Sequence, residues 1–198
     1  MNYLKGGKTM KKRIASLVLA VILVGSITGC GTGGSSQSAK ATATADENGN
    51  YVVNGSFEAE DFTGWTINNI DNVTEELDVY TRDTDAYEGA QSLHFYSGSS
   101  NVNFTAEQEI SGLEAGNYKM TARVQGDAAG DENAVVEFYA IVDGNKVTAE
   151  GTLGGYVNWD TVELSGLNTT EGNITVGVSV STAPGGWGTI DDITLVKE

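Results

Sequence analysis

Alternation of apolar and polar residues limits this chain more than any other feature. In Tyr118-Lys119-Met120-Thr121-Ala122-Arg123-Val124-Gln125 every second side chain is apolar or small. In Ile174-Thr175-Val176-Gly177-Val178-Ser179-Val180 the aliphatic residues take one parity, and Thr, Gly and Ser take the other. Successive side chains leave a strand on opposite faces, so this period predicts half-buried strands. Ser92–Tyr96, Val102–Ile110, Val135–Val142, Thr161–Leu164 and Thr189–Val196 read the same way. Asp143-Gly144 is a hairpin turn signal, and glycine-bearing turns recur between the other runs. No segment after residue 50 carries a helical period. Many short strands so punctuated predict an all-β fold, a β-sandwich of jelly-roll type. Tyr118, Met120, Ala122 and Val124 are expected to face the core, and Lys119, Thr121, Arg123 and Gln125 to face away. An outer face that joins such residues to the small side chains of Gly177 and Ser179 is either a shallow polar groove or a merely solvated surface.

The first 50 residues follow other rules. Lys11-Lys12-Arg13 precedes an apolar stretch from Ile14 to Val24. That stretch falls short of the roughly 20 residues a spanning helix needs, so residues 1–29 read as a secretory signal. Translation starting at Met10 would keep this signal whole. Ile27-Thr28-Gly29-Cys30 resembles the lipobox of bacterial lipoproteins. The resemblance implies cleavage before Cys30, a diacylglycerol thioether on its sulfur, and display on the extracellular face of the bacterial cell membrane. Two acyl chains on one residue give stable anchoring where one gives marginal binding. The alternative is an ordinary secreted protein cut nearby. Residues 30–50 are rich in Gly, Ser, Ala and Thr, with no aromatic or large aliphatic residue before Tyr51, and predict a flexible tether. Residues 51–198 are then one domain with room for a core.

Charge and residue counts exclude several functions. Residues 1–29 hold five of the 11 Lys and Arg and none of the 27 Asp and Glu, which leaves −21 from residue 30 onward. Such a field repels phosphate, so nucleic acid and anionic lipid are not expected partners. With a single cysteine, no disulfide forms within the chain. One histidine rules out paired imidazoles, and no Gly-x-Ser-x-Gly elbow is present. Glu76-Leu77-Asp78 is followed by Val79-Tyr80 and lacks the second Glu of a glucanase-like Glu-x-Asp-x-Glu strand. Glu107-Gln108-Glu109 reads as solvated strand surface. Catalysis is therefore not expected.

The order of short motifs carries a resemblance. The domain opens with Asn54-Gly55-Ser56-Phe57-Glu58 and Phe62-Thr63-Gly64-Trp65, and closes with Trp187-Gly188-Thr189-Ile190-Asp191-Asp192-Ile193. Tyr87-Glu88-Gly89-Ala90-Gln91-Ser92-Leu93 and Gly112-Leu113-Glu114-Ala115-Gly116-Asn117-Tyr118 lie between. This series resembles the calcium-containing β-jelly-roll carbohydrate-binding modules, galactose-binding-like in fold. Leu93-His94-Phe95-Tyr96-Ser97, Val157-Asn158-Trp159 and Gly185-Gly186-Trp187 narrow it toward the galactan-binding module attached to bacterial endo-β-1,4-galactanases. Such modules usually accompany a catalytic domain, and none is read here, so the expectation is a monomeric binder, either free-standing on the surface or delivered beside separate enzymes.

The resemblance implies a structural Ca2+ held by side-chain oxygens of Glu58, Glu88 and Asp191 and a backbone carbonyl near Gln91, or by Asp192 in place of Asp191 if the register slips by one. Calcium takes six to eight hard oxygen ligands, and this donor set suits it. It also implies non-catalytic binding of β-1,4-galactan or a related plant polysaccharide. Aromatic faces suit the C–H surface of a sugar, and planar polar groups suit its hydroxyls. Trp187, in its Gly-Gly-Trp-Gly turn, and Trp159, after Gly-Gly-Tyr, are the expected platforms. Asn158, Arg123 and Gln125 are the expected hydrogen-bonding groups, with Tyr139 and Tyr96 as further aromatics. Trp65 is expected in the core, and His94 on a strand surface. A protein-binding adhesin or scaffold lipoprotein is the alternative, and a glycoside hydrolase the third class. A polar groove with exposed aromatics favours glycan, while a broad apolar patch favours protein.

Overall fold

A computed structural model describes residues 43–198; Cys30 and the signal lie outside them. Ten strands form: β1 (Thr66–Asn69), β2 (Glu76–Tyr80), β3 (Ser92–Tyr96), β4 (Val102–Ser111), β5 (Gly116–Asp127), β6 (Val135–Val142), β7 (Asn145–Glu150), β8 (Gly155–Thr169), β9 (Asn173–Thr182) and β10 (Trp187–Lys197). The only helical element among the described residues is a 3-10 turn at Ile70–Asn72. The strands pair in two antiparallel five-stranded sheets, β2-β3-β10-β5-β8 and β1-β4-β9-β6-β7, and the expected all-β sandwich is the observed architecture. No described helix is long and apolar enough to cross a membrane.

The alternation does what its period requires. Tyr118, Met120, Ala122 and Val124 are buried against the second sheet, as are Ile174, Val176, Val178 and Val180 from the other side. Each large apolar side chain buried in this way contributes about 1.5–3 kcal/mol relative to exposure. Phe57 and Trp65 meet at a centroid distance of 5.6 Å, and the Trp65 indole N–H donates to the Asn54 carbonyl at 3.0 Å, so Trp65 is core as expected. The same parity places Trp187, Thr189 and Asp191 of β10 on the outer face of the first sheet. There they pair with Tyr96 and His94 of β3 and with Asp127, Gln125 and Arg123 of β5.

Two irregularities shape that outer face. At β10 the register with β5 shifts between Asp191 and Thr194, where Asp192 takes a left-handed φ of 48°. At β8 the partners run Val124↔Asp160 and Gly126↔Gly155, so four residues, 156–159, stand opposite the single Gln125. Bulges of this kind re-aim side chains at a sheet edge.

Residues 43–50, assigned to the tether by composition, lie on the sandwich. Ala43 N–H donates to Ser111 O at 2.9 Å, Asn50 forms a bridge with Val196, and Tyr51 N–H donates to Leu195 O at 2.9 Å. Backbone pairing needs no apolar side chain, which is why composition misses it.

Candidate functional site

A cleft of about 420 Å³ opens on the outer face of the first sheet. β2 supplies Glu76 and Tyr80, β3 supplies His94 and Tyr96, and β10 supplies Trp187 and Thr189. Arg82 and Asp85 enter from the β2–β3 loop, and Tyr156 from the excursion in β8. Tyr156 and Trp187 face one another at 6.4 Å with their planes inclined by 48°. On the opposite flank His94 stacks on Tyr80 at 3.5 Å, and its Nδ1 lies 2.8 Å from Asp78 Oδ1. Arg82 lies over the other part of this stack, 4.9 Å from the Tyr80 centroid, and its guanidinium is 3.8 Å from the Asp85 carboxylate. His94 is thus buried in the cleft floor rather than set on an open strand surface. The cleft combines aromatic faces with carboxylate, guanidinium, imidazole and hydroxyl groups, which is the chemistry that sugar recognition requires.

Gln125 belongs beneath this surface. Its side chain is wholly buried. Its amide N–H donates to Thr189 Oγ1 at 3.0 Å, and its amide oxygen accepts from Val157 N–H. Both ends are engaged, so Gln125 ties the 156–159 excursion to the sheet and leaves no group for a ligand.

Trp159 and Asn158 do not share the Trp187 cleft. They line a second hollow of about 250 Å³ with Thr152, Gly154 and Asp160. Asn158 Nδ2 donates to Gly154 O at 2.8 Å, and Thr152 N–H donates to Asp160 Oδ2 at 2.8 Å. Trp159 meets Tyr87 edge-on at 5.6 Å, and Tyr87 lies over Arg123 with 4.3 Å from guanidinium to ring centroid. Arg123 also donates to Thr161 Oγ1, and its Nε lies 3.6 Å from Asp192 Oδ2. The expected hydrogen-bond donor is therefore packed under Tyr87.

Tyr139 lies on the other sheet from the cleft, not beside it as expected. β6 lies in the second sheet, and Tyr139 faces outward there, away from every group named above. Its hydroxyl donates to Glu107 Oε1 at 2.5 Å, and Lys146 Nζ caps the ring at 4.2 Å. The ring covers Gly177, where a Cβ would come within 2.5 Å of Tyr139 Cζ, so glycine is required opposite it. Burial, then the bond to Glu107, pushes the phenol well above its ordinary range. Tyr80 and Tyr156 took no place among the expected contacts. Tyr80 was signalled by the Glu76-Leu77-Asp78-Val79-Tyr80 alternation, and Tyr156 by its glycine-flanked loop.

Of the residues expected around calcium, Glu88 and Gln91 lie in the β2–β3 loop, and Glu58 and Asp191 accept hydrogen bonds from its backbone. Asp191 is fully buried; its Oδ2 accepts from Tyr87 N–H at 2.6 Å and Glu88 N–H at 3.0 Å, and its Oδ1 from Asp192 N–H at 2.6 Å. Burial nonetheless pushes its carboxyl up to about 7, against the pull of those three N–H groups. Glu58 Oε1 accepts from Ala90 N–H at 2.7 Å and Gln91 N–H at 2.8 Å. Gln91 Oε1 is buried with no hydrogen-bond partner. Glu88 joins through its backbone, with its side chain exposed. Among the described residues no three acidic, histidine or cysteine side chains converge as a metal cluster. The oxygen donors still fit a hard cation: a buried carboxylate without a counter-charge and an unpartnered amide oxygen flank one loop, and a cation would answer both.

This sandwich with its aromatic cleft has the architecture of the β-sandwich carbohydrate-binding modules. Among solved structures, the chain is similar to the module TmCBM61 in complex with β-1,4-galactotriose, at 25% identity and a TM-score of 0.66 over 75% of this chain and 99% of that one. Two further matches speak to the fold alone. The enzymatically active domain of bacteriophage CBA120 tailspike protein 4 matches at 12% identity and TM-score 0.56, over 76% of this chain and 22% of that one. The K3 cleaved adhesin domain of Lys-gingipain from Porphyromonas gingivalis matches at 14% and 0.52, over 74% and 99%. No protein-family model matches the chain, and no curated protein matches it either.

Proposed function

We propose that this protein binds β-1,4-galactan, or a related neutral plant polysaccharide, without cleaving it. The observation that carries the reading is the Trp187–Tyr156–Tyr96 cleft on a sandwich that matches a galactotriose-bound module over 99% of that module's length. Trp187 and Tyr156 offer inclined faces to the C–H surfaces of the sugar. Glu76, Arg82 and Asp85 offer groups to its hydroxyls. Each such hydrogen bond replaces one to water and nets about 0.5–1.5 kcal/mol, so stacking carries much of the affinity. Asn158 and Trp159 line their own hollow and serve as a secondary contact. Gln125 acts through the excursion it anchors. The adhesin alternative has only a shared fold behind it.

Titration calorimetry with β-1,4-galactotriose tests the reading. Binding with Kd on the order of 10–500 µM, roughly −4.5 to −7 kcal/mol, is expected. Trp187→Ala should weaken it at least tenfold, about 1.4 kcal/mol, with little change in melting temperature. New reducing ends released from galactan, or heat with xylan and none with galactotriose, would refute it.

Two further parts of the proposal concern what surrounds the cleft. Glu58, Gln91 and Asp191 hold a structural Ca2+, whose charge would neutralise the buried carboxylate and fix the β2–β3 loop. Cys30 carries a lipid anchor that displays the domain outside the bacterial cell membrane, supported by the Ile27-Thr28-Gly29-Cys30 sequence.

A further inference from the structure

The outer face of the first sheet is walled across its width at one end. The β2–β3 loop, residues 81–91, leaves β2 and crosses toward the far edge. Tyr87 and Glu88 N–H groups donate to Asp191 of β10, the Tyr87 ring lies over Arg123 of β5, and the ring edge meets Trp159 of β8. The wall therefore runs from one edge strand of the sheet to the other. Its feet are fixed by side chains with no exposed surface. Ser92 Oγ donates to Asp85 O at 3.0 Å, Asp191 holds the loop at Tyr87, and Gln125 holds the excursion at Val157. Tyr87, Arg123 and Trp159 do not line the Trp187 cleft, and Trp159 lines the separate hollow.

A groove that reads the interior of a polymer needs an exit at both ends. This cleft has its Trp187–Tyr96 end away from the wall and meets the β2–β3 loop at the other, where Arg82 and Asp85 stand. A guanidinium and a carboxylate side by side suit the paired hydroxyls of a sugar that continues no further. We propose that the cleft receives the terminus of a glycan chain, with the Tyr87–Trp159 wall blocking passage of the polymer. This inference rests on the galactan reading above and specifies its mode.

The test titrates the protein with two size fractions of β-1,4-galactan, in parallel with β-1,4-galactotriose. Protein bound per gram of polymer is expected to fall in proportion as chain length rises, with no more than one molecule per chain. Binding per gram independent of chain length would overturn the wall. If that result came with normal heat from galactotriose, the galactan reading would survive it. Absence of heat with galactotriose would end both. Tyr87→Ala removes a side chain that is 45% exposed, and an unchanged melting curve would show that the variant folds. It is expected to admit more than one molecule per long chain; a stoichiometry still limited to one would overturn Tyr87 as the stop.

Discussion

Gln125→Leu separates holding the site from touching the ligand. Leucine keeps most of the volume and removes both amide contacts. The bond to Thr189 Oγ1 is lost at a hydroxyl only 2% exposed, so that group is left buried without its partner. The bond from Val157 N–H is lost as well, on the excursion that folds over residue 125. The buried orphan dominates, and its cost is about 1–3 kcal/mol. In a domain of this size each kcal/mol moves the melting temperature by about 2–4 °C. The excursion also loses its foot, so Tyr156 is no longer held against Trp187. Thermal melts and galactotriose titrations on the same samples should show both a lower melting temperature and weaker binding. Adding Thr189→Val leaves apolar groups of similar shape in contact, which is nearly neutral, so stability should return while binding stays weak. Thr189→Val alone controls for the methyl group introduced in the cleft. Undiminished affinity in Gln125→Leu would refute the anchoring role. Recovery of affinity along with stability in the double variant would trace the loss to global softening instead.

Three other outcomes are expected. Chelation should lower the melting temperature, since a ligand at 100–1,000 times its Kd stabilises by about 3–4 kcal/mol, and Gln91→Leu should blunt the response; a melt indifferent to EDTA would count against calcium. Cys30→Ala should abolish metabolic fatty-acid labelling, and equal label in mutant and parent would sink the anchor. Asp143 is held down to about 2 by the Thr169 hydroxyl first and then by the Thr170 and Glu171 N–H groups. Its folded value lies below its ordinary 3.8, so its contribution is present above that value and is lost as pH falls toward 2. Asp143→Asn should flatten the acid limb of the stability curve, and an unaltered limb would dismiss this cap.

Strand identity was legible because it depends on period. β3 and β6 fall on the expected residues, and β4, β5, β9 and β10 extend the expected spans by a few residues at their ends. β1 is four residues long and carries almost no pattern, and β7 is exposed along nearly its whole length, so neither shows an apolar parity. The aromatic at Trp187 was legible from its glycine turn. The separation of Trp159 from it was not, because it depends on four residues bulging opposite one. No periodicity encodes that; it follows from the pairing of Val124 with Asp160 and Gly126 with Gly155. Gln125 misleads for a related reason. Alternation places it on the outer face correctly, but the excursion then folds over it.

The seam between residues 50–51 and β10 has a mechanical consequence. β10 carries Trp187 at one end and Val196 at the other, about 30 Å along one extended strand. A pull applied at the cleft and resisted upstream of Asn50 travels along this strand, which is clamped between β3 and β5 for its first residues and by β5 beyond. It leaves the sandwich through the Asn50–Val196 bridge and the Tyr51 N–H to Leu195 O bond. Force therefore loads the continuous backbone first, and in transferring across it tests this short seam, to which Leu195 N–H adds a bond to Asn50 Oδ1, together with the Ala43 N–H to Ser111 O bond upstream of it. Under tension the leading segment would peel away before either sheet opened, and the cleft would keep its shape while the chain ahead of it lengthened.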